Sequence, residues 1–392
     1  MNILFTSPTS FHPQKGGVGR VTDTLCREFQ KRGYTIYYLH RKWYPEDNYP
    51  YPASVTILPT NDIYDCKNVE FYHNFLKEKN IDIIINQDGL YESSYLFQNV
   101  GNLTIPTISV IHSNPIINYT CLWEELYLLK NNTYIEKLKR IIRCLLYPKL
   151  KYEVWKSIQQ HYQYILEHST IITLLSAQYE LSLKKINPKL LNITYSIPNP
   201  NTYEEQKSIP IKQKEIIYVG RLYNSTKRVD RLLKIWQSIS KKYPDWHLSI
   251  VGDGIDGNML RQYSQQLRLK QIDFYNFQPP RPFYEKAAII CMTSNFEGFP
   301  MVLTEAMQFG CVPVAFNSFE AIADIIIPEK TGELVTPFSI KEYKEKLSLL
   351  IENITYREKL SQAAFQYVKQ YDSEIITEQW IQLFQKVRKD LY

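Results

Sequence analysis

Asn2-Ile-Leu-Phe-Thr-Ser7, then Val18, Val21, Leu25 and Phe29 at helical spacing, then Gly33 and Tyr34-Thr-Ile-Tyr-Tyr-Leu39: this is the order in which the chain begins. A short, largely apolar run reads as a buried strand, and apolar residues recurring every three or four positions read as the inner face of a helix. Gly33 stops that helix, because only glycine enters the left-handed conformation at a helix end without steric cost. The second apolar run is then a second strand, and strand, helix, strand in this order is a βαβ unit with parallel strands.

Working outward, the same alternation continues. Residues 81–85, 104–111 and 171–174 read as further strands, each ending in polar or turn residues. The polar, proline-containing stretch Ile197-Pro-Asn-Pro-Asn-Thr-Tyr-Glu-Glu-Gln-Lys207 reads as an interdomain linker. Beyond it, residues 215–219, 246–251, 288–292 and 311–316 read as a second series of strands, with helical patterns between them. In the last helix Trp380, Leu383, Phe384 and Val387 share one face, which needs something to pack against. The fold class expected is α/β, with two Rossmann-like domains facing each other across a cleft and ligands at the carboxyl ends of the strands. The boundaries read as 1–205 for the first domain, 206–374 for the second, and 375–392 for a C-terminal helix packing back on the first.

Length and composition agree. A chain of 392 residues has room for two cores, and 44 % hydrophobic content with 13 Gly and 21 Pro excludes collagen-like and largely disordered chains. The six cysteines lie far apart with no Cys-x-x-Cys pair, which argues for a reducing cytoplasm and against a zinc site. The first residues lack a signal peptide's basic start, and no run approaches the 18 apolar residues of a membrane span.

The net charge is +6, and one segment accounts for as much. Between Lys137 and Lys156 stand Lys137, Lys139, Arg140, Arg143, Lys149, Lys151 and Lys156 against Glu153 alone, so 7 − 1 = +6. These cations alternate with Leu138, Ile141, Ile142, Leu145, Leu146, Leu150, Val154 and Trp155, while Pro148 must break or kink any helix there. Two readings stand: a solvated helix pair whose apolar side packs on its own domain, or contact with an anionic membrane surface. Nucleic acid is not expected as a partner, because the rest of the chain offers no basic stripe.

The chemistry concentrates in two loops of the second half. In Ser294-Asn-Phe-Glu297-Gly298-Phe299-Pro300-Met301-Val302-Leu-Thr-Glu305-Ala-Met-Gln-Phe-Gly310, a strand runs into a glycine turn. Pro300 reads as the first helical residue, and Gly310 lies just past the helix end. A helix start presents free amides and partial positive charge, which suits a phosphate, and Glu305 in the helix body can accept hydrogen bonds from a vicinal diol. In Gly220-Arg221-Leu222-Tyr-Asn-Ser-Thr-Lys227, two cations share one strand-to-helix loop and are suited to hold a diphosphate. The chain has no Asp-x-Asp pair, so no metal is expected and Arg221, Lys227 and the helix start are expected to supply the positive charge.

Together these segments resemble the retaining family 4 glycosyltransferases of GT-B fold. The likeness rests on Gly220-Arg221-Leu222 with Lys227, on Val251-Gly252-Asp253-Gly254, and above all on Glu297 through Glu305 as the family's paired-glutamate signature. It is thinner in the first half: Gly16-Gly17-Val18-Gly19-Arg20, Val110-Ile-His112-Ser113 and Asn199-Pro-Asn201. The resemblance implies that Arg221 and Lys227 grip a donor diphosphate and that Glu305 holds ribose hydroxyls. It gives the transferring sugar to Glu297 with the amides of Gly298, Phe299 and Met301, and places Gly254 and Val302 in the donor site. Gly16 and Gly17 would approach the diphosphate and His112 the reacting carbon. Phe277-Gln-Pro-Pro280 and Asn317-Ser-Phe319 depart from the family's glycine-containing turns.

The function implied is transfer of a hexose from a nucleotide-diphosphate sugar, with retention and without a metal or other cofactor, by front-face attack. The acceptor expected is a lipid-linked saccharide in capsule, exopolysaccharide or lipopolysaccharide assembly, with the enzyme cytoplasmic and peripheral on the inner membrane face. Two alternatives remain: a non-catalytic nucleotide-sugar or polysaccharide-binding protein, and an NADP-dependent oxidoreductase. Against the latter, Gly17-Val-Gly19-Arg-Val-Thr22 lacks the third glycine of a dinucleotide fingerprint.

Overall fold

The computed structural model describes the chain apart from Lys15, residues 43–48, 90–91, 124–133 and 390–392, and the side chains of 134–138, 140 and 389. It divides into two compact units, Met1–Thr202 with Ser373–Tyr392, and Tyr203–Asp372.

The first unit is built on the expected βαβ start. β1 (Asn2–Thr9) leads through the helix Gly17–Lys31 to β2 (Thr35–Lys42), and Gly33 takes a φ of +81° where the helix ends. β3 (Ser54–Ile57), β4 (Ile83–Asn86), β5 (Thr107–Ile111), β6 (Ile171–Leu174) and β7 (Thr194–Ser196) complete a parallel sheet in the order β3-β2-β1-β4-β5-β6-β7. Ile3 stands opposite Ile36 on one side and Ile83 on the other. Covered on both faces, the central strands keep water from Ile3, Leu4, Ile84 and Ile85 altogether, which is why they read as unbroken apolar runs.

The second unit repeats the plan. β8 (Gln213–Val219), β9 (His247–Val251), β10 (Ile272–Tyr275), β11 (Ala287–Met292), β12 (Val312–Phe316) and β13 (Glu333–Val335) form a parallel sheet ordered β10-β9-β8-β11-β12-β13. Its core holds a fully buried Trp236, whose indole N–H donates to the Lys270 carbonyl at 3.1 Å. The C-terminal helix Ser373–Lys389 belongs to the first unit, where Trp380, Leu383, Phe384 and Val387 are buried and Phe384 meets Phe29 at 5.4 Å between ring centroids. The apolar face that needed a partner therefore packs on the helix of the opening βαβ unit.

The basic segment forms two helices, Tyr134–Leu145 and Tyr147–His168, and Pro148 sits in the first turn of the second. The chain breaks at Leu146, as a proline that cannot donate its amide requires. The side chains of Lys137, Leu138 and Arg140 lie outside the described residues. Ile141, Ile142, Leu145 and Leu146 are 58, 47, 77 and 46 % exposed, and the first buried residue of the second helix is Tyr162. These four apolar residues thus stay outside the core of their unit, whereas Leu150, Val154 and Trp155 are half-buried and Trp155 meets Tyr119 at 5.0 Å between ring centroids. Among the described residues no helix is long and apolar enough to cross a membrane.

Candidate active site

In the second unit the site grows from the carboxyl ends of β8, β9 and β11. The loops after β8 and β9 cross closely: the Gly220 amide donates to Val251 O at 3.0 Å, Leu222 N to Asp253 O at 2.8 Å, and Asp256 N to Leu222 O at 3.0 Å. A Cβ on Gly252 would lie 2.0 Å from the Gly220 carbonyl oxygen, and one on Gly254 would lie 2.6 Å from that of Leu222. Backbone approach accounts for both glycines, and it leaves the Arg221 side chain exposed at the rim.

Lys227 closes the short helix Asn224–Lys227, and Arg228 then takes a left-handed φ of +50° before the helix Val229–Ile239. This turn is bound to the loop after β11. Asn295 N donates to Thr226 O at 2.7 Å, Asn295 Nδ2 to Ser225 O at 3.0 Å, and Thr293 Oγ1 to Arg228 O at 2.9 Å. Arg231 donates to Asn295 Oδ1 at 2.7 Å and lies over the Phe338 ring at 4.1 Å. Burial, with Arg228 nearby, draws its guanidinium down to about 10.

The consequence is a direct meeting of the two predicted constellations. Lys227 Nζ donates to both carboxylate oxygens of Glu297 at 2.6 Å, across 70 residues of sequence, and Ser294 Oγ donates to Glu297 Oε1 at 2.7 Å. The pair is mostly shielded, with 26 % of the lysine side chain and 12 % of the glutamate side chain exposed. Gly298 follows, then Phe299 packs edge-on against Tyr371 at 5.4 Å. Met301–Gln308 is helical, with Met301 buried and Val302 half-buried. Pro300 caps this helix instead of occupying its first turn, since its ψ of 83° is not helical. Gly310 takes a φ of +78° just past the end, as expected.

Glu305 has no solvent exposure, and Tyr284 Oη donates to its Oε2 at 3.1 Å. A carboxylate this deeply buried must have its lost hydration offset by hydrogen bonds such as this one. Neither Ser294 and Asn295 nor Tyr284 stood out in the sequence. The first two lie in the motif but have ordinary turn chemistry, and nothing local links Tyr284 to a residue 21 positions away.

The first unit presents Gly16 as the residue before its first helix, and a Cβ there would meet nothing within 4 Å. Gly17 opens the helix. His112 follows β5, half-buried, with Nε2 2.6 Å from Gln87 Oε1. Burial pushes this imidazole down to about 4, so the ring is neutral, donates from Nε2 to the amide oxygen and keeps a lone pair on Nδ1. A cavity of about 430 Å³ at the ends of β1 and β4 is lined by Thr9, Phe11, His12, Gly16, Gln87 and Asp88. Asp88 was missed by the sequence reading. It is 2 % exposed, one carboxylate oxygen has no hydrogen-bond partner among the described residues, and burial raises its pKa to about 8 against the opposing pull of Arg41.

Fold and site together define a two-unit parallel α/β protein with a charged cluster at the strand ends, and comparison with known proteins gives that class its family. Residues 200–367 match the family described as glycosyl transferases group 1. This bears out, over most of the second unit, the resemblance drawn from the paired glutamates. An uncharacterised glycosyltransferase of Haemophilus influenzae is 36 % identical over 215 residues, covering 54 % of this chain and 59 % of that protein. An α-1,4-N-acetyl-D-galactosaminyltransferase of Campylobacter jejuni, named for an undecaprenol-diphosphate-linked saccharide, is 25 % identical over 244 residues, or 61 % of this chain and 66 % of that one. The chain therefore spans less than two thirds of either relative. Among solved structures, the lipopolysaccharide outer core galactosyltransferase WaaB in its apo form aligns with 98 % of this chain and 100 % of its own, at a TM-score of 0.72 and 18 % identity. That likeness shows the fold: two parallel-sheet α/β units of the GT-B type.

Proposed function

We propose that this protein transfers a hexose from a nucleoside-diphosphate sugar to a lipid-linked saccharide during assembly of a bacterial lipopolysaccharide, capsule or exopolysaccharide. The observation that carries the reading is the bond between Lys227, in the loop after β8, and Glu297, in the loop after β11, within the segment that matches the glycosyltransferase family. The names of the relatives support the acceptor class: one is described for an undecaprenol-linked saccharide and the fold neighbour for the lipopolysaccharide core.

In this reading Arg221 and Lys227 hold the donor diphosphate, Glu305 the ribose, and Glu297 with the amides of Gly298 to Met301 the sugar. Gly16, Gly17 and the neutral His112 are assigned to the donor from the first unit. The bond from the anomeric carbon to the diphosphate oxygen breaks as the acceptor oxygen attacks from the same face. The departing phosphate takes the acceptor's proton, so the configuration is retained and no general base is needed. Arg221 and Lys227 stabilise charge building on the phosphate, the task otherwise given to a metal ion. The exposed apolar and basic residues of 139–156 lie on the inner membrane face, where each cation near anionic lipid contributes about 1 kcal/mol.

The test is binding and release. Purified protein is titrated with UDP, GDP and ADP, then incubated with UDP-, GDP- and ADP-hexoses with and without membrane extract. One nucleoside diphosphate should bind, and its sugar donor should release nucleotide faster with extract. Binding of NADP in place of all three, or binding without turnover, would favour one of the alternative readings.

A further inference from the structure

The two residues assigned to the diphosphate and to the sugar are bonded to each other. Lys227 Nζ sits 2.6 Å from both oxygens of Glu297, and Ser294 fixes one of those oxygens at 2.7 Å. With 26 % of the lysine side chain and 12 % of the glutamate side chain exposed, the pair is partly shielded from water. The turn carrying Lys227 and the loop carrying Glu297 are also joined by hydrogen bonds from Asn295 and Thr293, one of them to the carbonyl of Lys227 itself, so neither end of the pair drifts away easily.

We infer that Glu297 occupies Lys227 as an internal substitute for the donor's diphosphate, and thereby makes the site select an intact nucleotide sugar over a free nucleoside diphosphate. This rests on the glycosyl-transfer reading and adds to it a reason for product release. A ligand that takes Lys227 must remove it from Glu297. A nucleotide sugar compensates, because sugar hydroxyls can donate to the carboxylate as the phosphate accepts from the ammonium. A nucleoside diphosphate brings more negative charge and no hydroxyl at that point, so it takes Lys227 from Glu297, gives the carboxylate nothing in exchange for the ammonium, and sets a like charge beside it. After transfer, the sugar is gone and Glu297 competes again for Lys227, which expels the product. Glu297 is then a specificity residue as well as a sugar ligand, and its removal should improve the binding of one ligand.

The experiment measures the affinity of UDP, GDP and ADP, and of UDP-glucose, GDP-mannose and ADP-glucose, for the parent and for Glu297→Gln by titration calorimetry. Glu297→Gln keeps the shape and removes the charge. It should bind the preferred nucleoside diphosphate about fivefold to tenfold more tightly than the parent, the range expected for freeing a partly shielded ion pair. The nucleotide sugar should gain nothing, so the ratio of the two affinities shifts about tenfold toward the diphosphate. Glu297→Ala, a second variant with no amide to bury, should move the ratio the same way. If the parent binds a nucleoside diphosphate and both variants bind it no more tightly, the substitution account is wrong while the transferase reading stands. If the parent binds none of the three, the transferase reading itself fails and takes this inference with it.

Discussion

Gly252→Ala gives the sharpest test of how the donor loops are held. The Cα of Gly252 adopts a φ of +140°, a region that costs a side chain dearly, and its Cβ would lie 2.0 Å from Gly220 O and 3.0 Å from the Gly220 carbonyl carbon. No rotamer relieves this, since both clashing atoms are backbone. The backbone conformation alone costs about 1–2 kcal/mol. Forcing the crossing apart adds about 1–3 kcal/mol of overpacking. Lengthening the 3.0 Å bond from Gly220 N to Val251 O loses about 0.5–1.5 kcal/mol more. The variant should therefore lose about 3–6 kcal/mol, with Gly16→Ala as the control because its Cβ meets open space. The assay is urea unfolding followed by the fluorescence of the buried Trp236 and Trp246. Displacement of Arg221 should also weaken nucleoside diphosphate binding. A urea midpoint equal to that of Gly16→Ala, together with a nucleotide affinity equal to the parent's, would refute the reasoning.

Four other outcomes follow from the same geometry. Arg221→Ala should weaken nucleoside diphosphate binding by about 1.5–3 kcal/mol, the range of a hydrogen bond to a charged group, as read by calorimetry in EDTA. Asp88, raised from the usual carboxylate range to about 8, adds most stability below pH 4 and loses it as pH rises through 8. Asp88→Asn should therefore match the parent at pH 4 and exceed it by about 3–5 kcal/mol at pH 9 in denaturant titrations, and an unchanged pH slope would contradict this. Lys139, Lys149 and Lys156 are exposed, so reversing all three to Glu should release the protein from acidic vesicles and leave nucleotide affinity intact; equal partitioning would show a merely solvated face. Glu297→Gln should lower kcat with little rise in donor KM, because its contacts strengthen as charge develops at the anomeric carbon, whereas Glu305→Gln should mainly raise donor KM; exchanged effects would overturn the division of roles.

What the sequence made legible, and what it hid, divides along physical lines. The central strands β1, β4, β8, β9, β11 and β12 are buried on both faces, so their apolar runs stand out without any partner being known. β3, β7, β10 and β13 did not stand out. They are the four outer strands, three or four residues long, and their exposure pattern is mixed because an edge strand has a neighbour on one side only. The same holds for the site. Turn chemistry exposed the glycine loops and the helix carrying Glu305, but the bond between Lys227 and Glu297 joins residues 70 apart, and no local pattern encodes it. Asp88 was invisible for a related reason: its significance comes from burial beside Arg41, contributed by a different strand. The basic segment was legible as charge and as a proline break, while only the structure shows that Ile141, Ile142, Leu145 and Leu146 stay outside the core.

The central claim is retaining transfer from a nucleotide sugar to a lipid-linked acceptor at the Lys227 and Glu297 site. It is tested most directly by incubating the protein in EDTA with each labelled UDP-, GDP- and ADP-hexose and membrane extract, then assigning the anomeric configuration of the lipid-linked product by NMR. The account predicts one donor whose hexose enters the lipid fraction with its configuration unchanged, and loss of that product in Lys227→Ala. Label that never enters the lipid fraction from any donor, or a product of inverted configuration, would contradict it.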